Sequence, residues 1–172
     1  MRSFAILASA LTLAATGVWA ASPYKQTLNV KKNQYTEDGV FIGGKAGSGI
    51  SLLNVRRVYS PKAKIERVTV ELGDKEAKPA GKNIGYFQVS LDSKENRVVI
   101  DLSQLKFSRV SEAAVQNLFK KSPFVTSVAL TLDPEDKAGT MILNLKRPMK
   151  MEVFQSVVDG KPGRIVMDLS PK

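Results

Sequence analysis

The sequence predicts an all-β fold: a two-sheet β-sandwich with internal pseudo-symmetric half-repeats and one short connecting helix. Three observations lead there. Apolar and polar residues alternate with a period of two, as where Phe87, Val89 and Leu91 share one face and Gln88, Ser90 and Asp92 the other. Turn-rich segments, "DSKENR", "DPEDKAGT" and "DGKPGR", separate alternating runs at hairpin spacing. One strand is also written twice, as "RVVIDLS" at Arg97–Ser103 and "RIVMDLS" at Arg164–Ser170. Weaker copies stand at Arg67–Gly73, "RVTVELG", and Thr140–Lys146, "TMILNLK".

Residues 1–20 are of another kind. Arg2 precedes the apolar run Phe4–Val18, and Val18 and Ala20 fill the small-residue positions before a cleavage point. This reads as a secretory signal peptide cut after Ala20, leaving no transmembrane span. The sequence has no Cys, so an exported chain must be held by its packed core without disulfides. No Asn lies in an Asn-x-Ser/Thr triplet, which fits a periplasmic protein of a bacterium better than a glycosylated secretory one.

Residues 21–49 are expected to form a polar, Lys-rich arm and a hairpin, and residues 50–172 the sandwich. In the first part, a short strand at Val40–Ile42 leads through "GGKAGSG" to a strand from Ile50 to Tyr59. The glycine stretch lacks the Gly-Lys-Ser/Thr ending of a phosphate loop, and no helical pattern follows it, so it reads as a hairpin turn. Further strands are expected at Ile65–Leu72, Gly85–Asp92, Arg97–Leu102, Val125–Leu132, Thr140–Leu145, Met151–Val158 and Arg164–Leu169. One helix interrupts them, with Ser111 as N-cap, Glu112 in its first turn, Val115, Leu118 and Phe119 as its apolar stripe, and Pro123 beyond its end.

Residues 50–102 and 124–170 read as two similar halves, each expected to contribute a sheet. In both closing strands the Arg and the Asp lie four residues apart on one face, opposite Val98, Ile100 and Leu102 or Ile165, Met167 and Leu169. Four residues span roughly 13 Å, too far for a pair within one strand. Arg97, Asp101, Arg164 and Asp168 are therefore expected to form ion pairs or caps with neighbouring strands.

The formal net charge is +10; without Arg2, 25 of the 26 basic residues remain against 16 acidic ones, a net of +9. Such a surface attracts polyanions, and the expected export separates it from nucleic acid. With no His and no Cys, the usual nucleophile–base pairs and most transition-metal sites are missing. Asp101 and Asp168 are the two acids a glycosidase reading would need, but repeated strand ends explain them structurally. "DPED" at Asp133–Asp136 lacks the alternating ligand spacing of a calcium loop. The expectation is a protein that is not an enzyme and takes no cofactor or metal.

The paired half-repeats carried by "RVTVEL", "YFQVSLDSKENRVVIDL" and "FQSVVDGKPGRIVMDL" resemble the AMIN domain, over about residues 50–170. That module stands at the N-termini of exported cell-wall amidases and type IV pilus secretins. The resemblance implies a sandwich of two similar sheets that binds peptidoglycan and localises an envelope complex.

Basic side chains suit the carboxylates of peptidoglycan stem peptides. The expected contacts are Arg56, Arg57, Lys120, Lys121, Lys146, Arg147 and Lys150, with Tyr59 against sugar faces. Trp19 leaves with the signal peptide, so charge must carry more of the recognition than aromatic stacking. The alternative is a scaffold that docks a secretin, an amidase or another envelope protein by strand addition, without direct glycan binding.

Overall fold

Residues 24–47, 49–79, 84–133, 135 and 138–172 are described in the computed structural model; the expected signal peptide and cleavage point lie outside them. Eleven strands and one helix occur among these residues. The first half supplies β1 (Tyr24–Gln26), β2 (Gly39–Gly43), β3 (Ile50–Ser60), β4 (Ile65–Asp74), β5 (Phe87–Asp92), β6 (Arg97–Ser103) and β7 (Leu105–Ser108). Helix α1 (Glu112–Phe119) follows, then β8 (Val125–Asp133), β9 (Ala138–Leu145), β10 (Met149–Ser156) and β11 (Gly163–Pro171).

Two sheets pack face to face, one ordered β1-β2-β5-β6-β9-β8 and the other β10-β11-β4-β3-β7. This is the expected all-β sandwich, but its halves are arranged differently from the expectation of one sheet per half. Each half splits: β3–β4 joins β10–β11 in the five-stranded sheet, and β5–β6 joins β8–β9 in the six-stranded sheet. The series β5-β6-β9-β8 and β10-β11-β4-β3 are thus the same arrangement, made by exchanging hairpins between halves.

The four repeated stretches meet in matched registers at the centre of this exchange. Arg97 faces Asn144 and Asp101 faces Thr140 on β6·β9; Arg164 faces Glu71 and Asp168 faces Arg67 on β11·β4. Their alternation buries Val98, Ile100, Leu102, Ile165, Met167 and Leu169 between the sheets. Burial of such apolar area is the main stabilising term. A closing strand at the centre of its sheet must find its partner across the whole chain, so local hairpins alone cannot complete either sheet.

The glycine-rich stretch is not a hairpin loop. It carries the chain from β2 in one sheet to β3 in the other. Gly44 makes this corner possible: its φ is +72°, and a Cβ there would stand 2.1 Å from the Gly85 carbonyl oxygen.

The polar arm closes the open side of the sandwich. β1 pairs in parallel with β2, the Gln155 amide donates to Leu28 O (2.8 Å), and Thr36 exchanges two backbone hydrogen bonds with Met151 at 2.9 and 2.7 Å. The arm therefore starts on one sheet and ends against the edge of the other. On the opposite side α1 covers edge strand β8, whose Leu130 amide donates to Glu112 (3.4 Å) and whose Val128 carbonyl accepts from Gln116 (3.3 Å). Ser111 caps the helix, accepting from the Ala114 amide at 3.3 Å. The short strand β7, not anticipated from sequence, adds in parallel to β3.

Candidate functional site

The outer faces of the two sheets share a backbone plan but not a chemistry. All four buried carboxylates of the described residues, Glu66, Glu71, Glu152 and Asp168, belong to the five-stranded sheet. Burying a charge is costly unless it is paired and hydrogen-bonded, and cations gather around these acids.

Asp168 on β11 accepts two hydrogen bonds from Arg67 on β4, at 2.7 and 2.8 Å, and one from Lys31 of the arm. One strand further along the same face, Glu71 accepts from Arg164 at 3.2 Å, from Arg56 at 3.0 Å and from Asn54 at 3.2 Å. The opposed directions of β4 and β11 create this ladder, since Arg67 and Glu71 meet Asp168 and Arg164 head to tail. Burial pushes the Asp168 carboxyl up, but hydrogen bonds and charge from Arg67 and Lys31 outweigh that and hold it below its usual value. The same contact raises Arg67; for Lys31, burial lowers and the Asp168 bond raises, with a net increase.

The ladder leaves donors to spare. Among the described residues, Arg164 uses only Nε and Arg56 one terminal nitrogen, while one terminal nitrogen of Arg67 makes no hydrogen bond. Arg56, Arg67 and Arg164 line a shallow groove of about 290 Å³ with the hydroxyls of Thr69 and Ser156 and an apolar floor of Val166 and Phe154. Arg67 stacks over the Phe154 ring at 5.6 Å. Beyond Arg67 a second depression, about 360 Å³, is lined by Val58, Ala63 and Ile65 together with Ser60 and the Lys31–Asp168 pair. The two share Arg67 and together make an elongated surface, cationic at one end and largely apolar, beside the Lys31–Asp168 pair, at the other.

The other expected contact residues fall in separate places. Arg56 lies on this outer face, but its neighbour Arg57 points inward, because successive strand residues face opposite sides. Arg57 donates to Glu66 and, at 3.0 Å, to the Leu118 carbonyl. Glu66 is closed off by Ser122 on its other oxygen. Arg57 is thus an internal anchor between β3, β4 and α1, not a surface contact. Tyr59 is half-buried, edge-on to Phe124 with ring centroids 5.6 Å apart.

Exposed Lys120 and Lys121 sit where α1 ends, and Lys146 donates to the Ser122 carbonyl at 2.7 Å. Arg147 covers the Phe124 ring at 5.3 Å, so these residues form a second basic cluster at the end of the sandwich. Lys150 lies apart, 5.9 Å over the Tyr35 ring.

Of the four residues expected to pair structurally, Asp168 and Arg164 sit in the ladder, and Arg97 makes a 3.7 Å contact with Asp92 at the surface. Asp101 differs. It stands between Gln88 and Thr140, and its carboxylate has no hydrogen-bond or ionic partner among the described residues. The outer face around β6 supplies no cation at the place where Arg67 stands in the other sheet.

Sequence reasoning missed Lys31, Arg67, Glu66 and Glu71. The signal for two of them was present: "RVTVEL" carries Arg67 and Glu71 four residues apart, the charge complement of Arg164 and Asp168. It becomes readable only once β4 and β11 are known to run antiparallel side by side. No family model matches the chain, and no curated protein matches it; the fold itself defines an all-β sandwich of two exchanged-hairpin sheets.

Proposed function

We propose that this chain is an exported, non-catalytic module of a bacterial envelope that binds peptidoglycan and thereby localises an envelope complex. The observation that carries the reading is the arginine trio. Arg56, Arg67 and Arg164 are held from beneath by buried Glu71 and Asp168, yet keep unspent N–H donors facing one groove. Guanidinium groups match carboxylates in pairs of parallel hydrogen bonds, and pre-positioning them lowers the entropy lost on binding. Stem-peptide carboxylates suit the cationic end, and the apolar depression beside Arg67 suits short aliphatic side chains. The likeness of the half-repeats to AMIN domains points the same way.

A specific observation favours protein docking as the second reading. Edge strand β7 carries exposed Phe107, which with exposed Leu132 lines a cleft of about 290 Å³. That is a suitable landing place for an added strand with apolar side chains.

Co-sedimentation with protein-free cell-wall sacculi separates the two. The module should pellet with sacculi at low salt and be released as salt rises, and Arg56→Ala/Arg164→Ala should weaken pelleting about tenfold or more. Protein that stays in the supernatant at low salt would rule out the polymer reading.

A further inference from the structure

One end of the sandwich gathers positive charge from three separate turns. The β3–β4 turn carries Lys62 and Lys64, the α1–β8 connection Lys120 and Lys121, and the β9–β10 turn Lys146 and Arg147. All six are exposed. Tertiary contacts bring the three turns together around the buried Phe124 ring. Tyr59, beside the first turn, meets that ring edge-on, and Arg147 lies over it at 5.3 Å. The Lys146 amide donates to the Phe124 carbonyl at 2.8 Å. Each turn also contains a proline, Pro61, Pro123 or Pro148, which fixes φ.

None of these six bases forms an ion pair among the described residues. Glu66 beneath them is buried and already bound by Arg57 and Ser122. The adjoining β5–β6 turn is joined by the Leu145 amide, which donates to the Asn96 carbonyl at 2.7 Å. That turn adds Lys94 and Glu95, whose charges offset, and Arg97, which faces Asp92 at 3.7 Å. At the opposite end lysines are interleaved with acids, as in the 3.5 Å Lys75–Glu76 pair and the turn holding Asp159 and Lys161. The positive field therefore has a direction, along the strands toward the Phe124 end.

We infer that this end is a landing surface for an anionic lipid bilayer, with the strands pointing away from the membrane. Two features favour a plane of lipid phosphates over a polymer thread. The bases stand on turns at the end of the sandwich, so a flat surface meets them together, whereas a thread fits a groove like that of the arginine trio. Five of the six are also lysines. Compact ammonium groups on flexible stems can follow mobile headgroups, while guanidinium groups held by buried carboxylates suit a fixed partner. Each base brought to an anionic surface gains about a fivefold increase in partitioning, so bases that are weak singly add up. The inference does not depend on polymer binding, because it uses none of Arg56, Arg67 and Arg164.

The test is flotation of the purified chain with vesicles of phosphatidylcholine alone or mixed equally with phosphatidylglycerol. The chain should float only with the anionic vesicles and be released as salt rises. Net charge alone would give the same result, so two variants that each remove two exposed charges decide. Lys62→Gln/Lys64→Gln should weaken flotation about tenfold or more. Lys45→Gln/Lys161→Gln, at the opposite end, should weaken it no more than about threefold. Inorganic phosphate at matched ionic strength should release no more protein than salt does. In sacculus co-sedimentation Lys62→Gln/Lys64→Gln should stay within about threefold of the parent. The inference is overturned by absent flotation, by flotation with neutral vesicles, by equal losses in the two variants, or by stronger release with phosphate. A Lys62→Gln/Lys64→Gln protein that floats normally but no longer pellets would overturn it too, assigning the surface to peptidoglycan. Orientation is read on the parent chain, so it does not depend on a variant folding. With anionic nanodiscs carrying a spin-labelled lipid, the ¹H–¹⁵N signals of Lys62, Lys121 and Arg147 should broaden first, and first broadening at Lys161 or at Arg56, Arg67 and Arg164 would refute the placement.

Discussion

Asp101 and Asp168 stand at the same place in the two half-repeats, one facing Thr140 and the other Arg67, and of the pair only Asp168 is salt-bridged. Equivalent backbone positions have thus been given different work. In the six-stranded sheet the position is a half-buried surface acid; in the five-stranded sheet it is the completely buried centre of a charge ladder that also ties down the arm.

Asp168→Asn should therefore destabilise the protein by about 1–3 kcal/mol, less than a fully buried pair would lose because Arg67 is partly exposed to solvent. Asp101→Asn should stay within about 0.5 kcal/mol of the parent. Urea unfolding of both variants measures this, and equal losses would mean that the ladder does not set the difference.

Stability should follow pH in a direction set by the same group. The Asp168 carboxyl is held below its usual value in the fold, so its contribution is fully present above the unfolded value of about 3.9. It is lost as pH falls through the lower folded value. Lys31 is raised, so its contribution is present below the unfolded value of about 10.4 and disappears as pH climbs through the folded one. Melting temperatures recorded from acid to alkaline pH should decline on both flanks. Asp168→Asn should flatten the acid flank in particular; an unchanged acid limb would argue against this assignment.

Adjacent Arg56 and Arg57 should behave oppositely. Arg57→Ala strands the buried Glu66 carboxylate and should cost about 3 kcal/mol. Arg56→Ala leaves Glu71 with Arg164 and Asn54 and should cost no more than about 1 kcal/mol. In sacculus co-sedimentation the effect per folded molecule should reverse, with Arg56→Ala the weaker binder. A stable Arg57→Ala protein would contradict the inward placement of that side chain.

Ile100 and Met167 occupy matching core positions on β6 and β11, both fully buried. Replacing either by Ala should lower stability by about 2–5 kcal/mol. Because each lies on a central strand, the two losses should be of similar size in thermal or urea melts, and a melting curve unmoved by Ile100→Ala would disprove the register.

Sequence alone determined what depends on near neighbours. Alternation with a period of two picked out Val98, Ile100, Leu102, Ile165, Met167 and Leu169 as core, because a strand's own geometry sends successive side chains to opposite faces. Ser111 and the stripe of Val115 and Phe119 marked the helix, since a cap and a 3.6-residue period are local signals. The strand period of two, applied to Arg56 and Arg57, already implied that they cannot share a face. Tertiary structure decided everything that depends on which strands lie side by side. The exchange of hairpins between halves, the meeting of Arg67 with Asp168 and of Glu71 with Arg164, and the reach of Lys31 over the sheet join residues up to 137 positions apart. Many pairings of the same amphipathic strands bury comparable apolar area, and a charged residue on an outer face shows its partner only when the neighbouring strand and its direction are known.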